Sequence, residues 1–143
     1  MASTNKHPLQ DFEINPKIKL SALWAAATFC YLYGDYFELY TPEKVESLIS
    51  GNNVLDSPMA LFLASAILAI PSLMVVLSLV LKPVLNRWLN IIFGTLFTLM
   101  MVLIAVGSLT PWYTFYVFLA VVEAILTAVV VWTAWKWPRQ ASA

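Results

Sequence analysis

Charge is scarce in this 143-residue chain: 11% of its residues are charged and 61% are hydrophobic. Soluble domains carry roughly a quarter charged residues and about half apolar ones. The shortfall excludes an ordinary water-soluble surface and points to a membrane protein, with the lipid bilayer as its first partner. Bases and acids balance at eight each, so no polyanion surface is implied and nucleic acid is not an expected partner. A single cysteine, Cys30, excludes an intrachain disulfide and a CxxC pair. The single histidine, His7, lies in the polar N-terminal segment. That excludes a bis-histidine haem on membrane helices and leaves zinc without its usual ligands. Four glycines form no phosphate-cradling loop. No cofactor is expected.

The apolar residues fall into four blocks. A spanning helix needs about 20 mainly apolar residues, and the chain has room for four. Asn15-Pro16, Ser57-Pro58 and Thr110-Pro111 each offer a capping residue followed by a proline at the first helical position. "SLTPWY" divides the uncharged stretch 88–122, which is too long for one helix. The expected fold is all-α, an integral membrane four-helix transmembrane bundle with spans at about 16–40, 57–81, 85–108 and 111–136. Tails at 1–15 and 138–143 flank it. The N-terminal stretch mixes acids with bases before any apolar core, so it is not read as a signal peptide. Between the first two spans, "TPEKVESLISG" predicts a short amphipathic helix on the membrane surface, with Val45, Leu48 and Ile49 on one face and Gly51 at its end. Pro71, in the middle of the second span, predicts a kink.

Seven bases (Lys6, Lys17, Lys19, Lys82, Arg87, Lys136 and Arg139) fall on one side of this arrangement and Lys44 alone on the other. The positive-inside rule then makes the protein a multi-pass cell-membrane protein with both termini cytoplasmic. Tyr36, Phe37, Tyr40, Trp112 and Tyr113 mark the outer interface. Trp88, Trp132, Trp135 and Trp137 mark the inner one.

Two acids break the apolar blocks. Asp35 lies about 24 Å along the first helix from Lys19, in the outer third of the bilayer. Glu123 lies about 16 Å in from Trp112, near the midplane. A charged carboxylate there costs about 2.5–3.5 kcal/mol, so it must face the bundle, find a partner or carry a proton. Lys17, Ser21, Trp24, Thr28, Tyr31, Asp35 and Glu38 recur at steps of four and three, a polar seam on one face. Similar stripes run through Arg87, Asn90, Gly94, Phe97 and Met101, and through Tyr116, Ala120, Glu123, Thr127 and Val130. Turned inward, they predict an outward-opening cavity lined by Glu123, Asp35, Tyr31 and Tyr116, with Asn90 and Arg87 at its cytoplasmic floor.

"KIKLSALWAAATFCYLYGDYF", "LNRWLNIIFGT" and the closing "VVWTAWKWP" resemble the DUF6326 family of short bacterial four-helix membrane proteins. The likeness covers about residues 17–137. It implies the same architecture and carries no activity. Two functions of different class are expected. One is binding or transport of a proton, cation or amphipathic small molecule by the cavity, in a single chain or a homo-oligomer. The other is a structural or accessory subunit whose partner belongs to a larger membrane complex. An enzyme is the least favoured class, because Asp35 and Glu123 would be its only acid–base candidates.

Overall fold

A proline opens three of the four long helices and the 3-10 turn that precedes the fourth. In the computed structural model, which describes residues 12–138, α1 runs over Pro16–Glu38 and the Asn15 side chain accepts the Lys17 N–H at 2.9 Å. Helix α2 is short, Lys44–Ser50. Helix α3 spans Pro58–Val80, and Ser57 accepts the Ala60 N–H at 3.2 Å. Helix α4 spans Pro83–Gly107, and α5 spans Thr114–Trp135 after a 3-10 turn at Pro111–Tyr113. Proline fits the first helical position because the N–H there has no intrahelical partner to lose. For that reason α4 begins at Pro83, before the expected Leu85. No strand occurs among the described residues. Lys6, His7 and Arg139 lie outside the described residues.

The connection between α1 and α3 holds a helix, but Pro42 does not open it. Thr41 folds back, giving both its backbone N–H (3.0 Å) and its hydroxyl (2.8 Å) to the Glu38 carbonyl. Glu43 then takes a left-handed φ of 62° before α2 starts at Lys44. Gly51, at φ 75°, ends α2 in the conformation glycine adopts at least cost. No residue of α2 is buried, and its apolar side chains Val45, Leu48 and Ile49 are exposed.

Three helices are long and apolar enough to cross a membrane: Pro58–Val80, Pro83–Gly107 and the segment Pro111–Trp135. Helix α1 is as long, but its polar seam makes it less apolar. It is packed against both α3 and α5, while α4 packs on α5 and meets α3 only sparsely. The second α3 feature of note is Pro71, which is buried within a helix that continues on both sides of it.

Polarity is inverted relative to a water-soluble protein. Phe62, Leu73, Leu99, Leu103, Phe118 and Ile125 are exposed, while Ser78, Asn86, Asn90, Glu123 and Thr127 are buried. Asn90 is the centre of this interior. Its carbonyl oxygen accepts the Trp24 indole N–H at 2.7 Å, and its amide donates to the Asn86 side-chain oxygen at 2.7 Å and to the Asn86 carbonyl at 2.9 Å. The Asn86 amide donates in turn to the Ser78 carbonyl at 2.6 Å. One buried network therefore ties α1, α3 and α4. Phe97 closes over it, edge-on to Trp24 at 5.9 Å between ring centres.

Helices α4 and α5 meet through small residues. A Cβ on Gly94 would lie 2.8 Å from Val131 Cγ2 and 3.4 Å from the Thr127 carbonyl. Beside it Thr98 donates to Thr127 Oγ1 at 2.8 Å. Close helix approach of this kind is how packing is gained where lipid removes the hydrophobic drive.

Two substitutions test these contacts. Asn90→Leu leaves the Trp24 indole and the Asn86 side chain unpaired, and is expected to destabilise by about 1–3 kcal/mol. Ser78→Ala, which removes only 3.4 Å contacts with Asn90, is expected to cost under about 1 kcal/mol. Equilibrium unfolding in mixed detergent micelles gives both values. Gly94→Leu is expected to separate α4 from α5 and lower the midpoint more than Gly94→Ala, whose Cβ at 2.8 Å from Val131 Cγ2 already obliges that side chain to move.

Candidate functional site

A cavity of about 230 Å³ opens among the four long helices. Helix α1 supplies Tyr31, Gly34 and Asp35, and α5 supplies Tyr116, Leu119, Ala120 and Glu123. Helix α3 contributes Ala64, Ile67 and Leu68, and α4 contributes Met100, Met101 and Ile104. The chain thus brings four of the expected residues together: Glu123, Asp35, Tyr31 and Tyr116.

Their settings differ. Glu123 is 4% exposed. Among the described residues its carboxylate has no ion pair, the one such pair being Lys44–Glu38, and the only side chain bonded to this residue is Thr127, whose hydroxyl donates to the Glu123 backbone carbonyl at 2.8 Å. Tyr31 is 9% exposed, and its hydroxyl is buried with no partner. Its ring leans on Phe97 at 5.9 Å, which fixes it from the opposite side. Asp35 is exposed, at the edge of the same cavity that Glu123 lines. Gly34 lets the Tyr116 ring come close, since a Cβ there would sit 3.4 Å from Tyr116 Cε2.

Pro71 has a local consequence. It offers no N–H to the carbonyl four residues earlier, that of Ile67, and Ile67 lines the cavity. One helix wall of the cavity therefore has a backbone acceptor released from the ladder.

Asn90 and Arg87 are set apart from this group. Asn90 is fully buried and all its hydrogen bonds go to the interhelical network. The Arg87 guanidinium lies over Trp88 at 5.7 Å and Trp135 at 5.8 Å, at the other end of α4 from Met101 and Ile104. Its Nε is buried without a partner.

Two bases have duties that a count of charges does not reveal. Lys17 Nζ donates to the carbonyls of Leu79 (3.1 Å) and Leu81 (2.7 Å), capping the end of α3, where a cation also suits the helix dipole. Lys44 pairs with Glu38 at 2.8 Å, and the Tyr113 hydroxyl donates to the same oxygen at 3.2 Å. Glu38 thereby joins the end of α1, the start of α2 and the 3-10 turn. Aromatic rings surround this junction, with Phe37 on Phe115 at 6.3 Å and Tyr113 on Tyr116 at 6.0 Å. The spacing of Lys17 along the α1 seam was the available sign of its inward position. Glu38 lies on the same seam, but its pairing with Lys44 gave no sign, because a turn separates the two.

These features define an all-α protein with three helices apolar enough to cross a membrane and a buried, unpaired carboxyl facing a cavity. The chain belongs to the DUF6326 family, described as a family of unknown function, whose profile matches residues 9–143. No curated protein and no solved structure matches it.

Tyr31 gives a direct check of the cavity's content. An unsatisfied buried hydroxyl costs about 1–3 kcal/mol, so Tyr31→Phe in an empty apolar cavity would raise stability or leave it unchanged. If water or a solute bonds the hydroxyl, Tyr31→Phe lowers Tm by several degrees, and that fall is the expected result. At the outer end, Glu38→Ala is expected to speed amide hydrogen exchange in α2 while costing under about 1 kcal/mol overall, since the pair is partly exposed.

Proposed function

We propose that this protein is a four-span membrane protein that binds a small solute in its intramembrane cavity with a change of protonation at Glu123. The observation that carries the reading is the buried Glu123 carboxyl with no charge partner, facing a cavity whose edge bears Asp35. A carboxylate in that position costs about 2.5–3.5 kcal/mol near a bilayer centre, and such residues persist where they take part in a pathway or relay. Helix α1 forms the fourth span, its polar seam turned toward its neighbours. Helix α2 lies at the outer surface with Val45, Leu48 and Ile49 in the interface. Both termini are cytoplasmic, as the excess of bases on that side supports.

Carbodiimides modify the protonated form of a carboxyl, and only an apolar one enters the bilayer. Dicyclohexylcarbodiimide is expected to label Glu123, with mass-spectrometric yield falling as pH rises and again when a solute occupies the cavity. A water-soluble carbodiimide should prefer the exposed Asp35. Absence of any Glu123 label across the pH range the protein tolerates would contradict the reading.

One observation favours a second reading, that of an accessory subunit in a larger membrane complex. Arg87 has no acid partner among the described residues and its Nε is unsatisfied, as an arginine awaiting a carboxylate on another chain would be. Copurification of a stoichiometric membrane partner that is lost in Arg87→Gln supports that role.

A further inference from the structure

We propose that the solute of this cavity is a small organic ammonium ion, a protonated amine with an apolar substituent, which exchanges for the proton on Glu123. This deepens the proton-linked binding reading and rests on it.

The sign of the charge comes first. The cavity lining includes two acids, Asp35 and Glu123, and no base. Lys44, at the outer end of the helices, is held by Glu38 at 2.8 Å. An anion would find no counter-charge there and would be repelled by both carboxyls.

The kind of cation comes from the rest of the wall. No group of three or more metal-ligating side chains exists among the described residues. A hard metal ion asks for about six oxygen ligands, which Ile67, Leu68, Met100, Met101 and Ile104 cannot give. An ammonium ion asks for fewer. Its N–H groups need two or three acceptors, and the two carboxylate oxygens of Glu123 supply them, with the Asp35 carboxyl at the cavity edge. Its hydrocarbon part needs an apolar, adaptable wall, which the α4 methionines provide. The Tyr31 and Tyr116 rings add faces that attract a cation. At about 230 Å³ the cavity is below the roughly 300–1,000 Å³ typical of drug-sized sites, so one small amine fills it.

The exchange balances. The ammonium keeps its own protons, the O–H bond of the Glu123 carboxyl breaks, and that proton leaves to water. The cavity gains one positive charge as the carboxyl gains one negative, so its net charge is unchanged, the least costly outcome in a medium of low dielectric. The other titratable groups facing Glu123 are Tyr31, Asp35 and Cys30 on α1 and Tyr116 on α5. Helices α3 and α4 bring none to the cavity. Glu38, Lys44 and Tyr113 form the bonded cluster at the outer end.

The test is calorimetric titration of the full-length protein in lipid nanodiscs with 2-phenylethylammonium, in two buffers of different ionisation enthalpy. About one proton should be released per ion bound, and affinity should rise about tenfold per pH unit while Glu123 holds its proton. The neutral 2-phenylethanol, of the same size, should bind at least about tenfold more weakly, and 3-phenylpropanoate not measurably. Glu123→Gln should abolish proton release. Asp35→Asn, at an exposed position where folding is not at stake, should weaken binding about threefold at low salt and less at high salt. Equal binding of the alcohol, preference for the anion, or binding without proton release overturns the inference, and the alcohol comparison decides even if Glu123→Gln does not fold. If Glu123 takes a carbodiimide label in the pH-dependent way expected above but 2-phenylethylammonium does not bind, the ammonium assignment fails alone. If Glu123 is not labelled either, both readings fail.

Discussion

Asn90 makes the bonds that water makes in a soluble protein. With an apolar exterior on α3, α4 and α5, every polar group that is not at an end must be satisfied inside, by another part of the chain. Asn90 does this for the Trp24 indole and for Asn86, and Asn86 does it for the end of α3. Lys17 completes the same end by taking the last α3 carbonyls. The lower halves of α1, α3 and α4 are therefore fixed to one another. Helices α3 and α4 otherwise meet only sparsely, and the cavity opens among the four long helices toward their other end. An end tied by interhelical hydrogen bonds and a roomier end are two results of one constraint.

Against that background the unbonded groups stand out. The Glu123 carboxyl and the Tyr31 hydroxyl sit in the same interior as Asn90, yet neither has a protein partner. Elsewhere Thr98 pairs with Thr127 across an interface, and the other buried unpartnered atoms, Arg87 Nε and Thr133 Oγ1, lie apart from the cavity. Two unmet groups on one cavity wall, with Asp35 at its edge, are then better explained by something that enters than by poor packing. Pro71 acts in the same direction, since it frees a backbone carbonyl at Ile67 on that wall.

Much of this was legible in the sequence, and the reasons are physical. In α4 and α5 polar and small residues recur at steps of three and four in a wholly apolar setting, so Asn90, Gly94, Phe97 and Met101, and Ala120, Glu123, Thr127 and Val130, could be turned inward correctly. A capping residue followed by proline marked the starts of α1 and α3; α4 begins at Pro83, two residues before the expected Leu85, and Pro111 opens a 3-10 turn ahead of α5. Helix α3 was opaque, because Leu, Ile, Val and Ala cover all its faces; its buried Pro71, Met74 and Ser78 carry little contrast. In α1 the stripe was slightly rotated: Gly34 is buried where Asp35 was expected, and Asp35 lies at the edge. Asn90 and Arg87 share the inward stripe with the acids but lie lower on it. The sequence spacing revealed their face, and only packing reveals that Trp24 takes up Asn90. The Glu38–Lys44–Tyr113 junction joins residues 75 positions apart, a contact for which no local pattern exists.

The central claim is that Glu123 gains and loses a proton inside a folded apolar protein. Infrared difference spectroscopy of the protein in nanodiscs, wild type minus Glu123→Gln, observes that carboxyl directly. The account predicts a protonated-carboxyl band that disappears as pH is raised and shifts when the cavity is filled. A Glu123 signal locked in one form across the pH range in which the protein stays folded would contradict it.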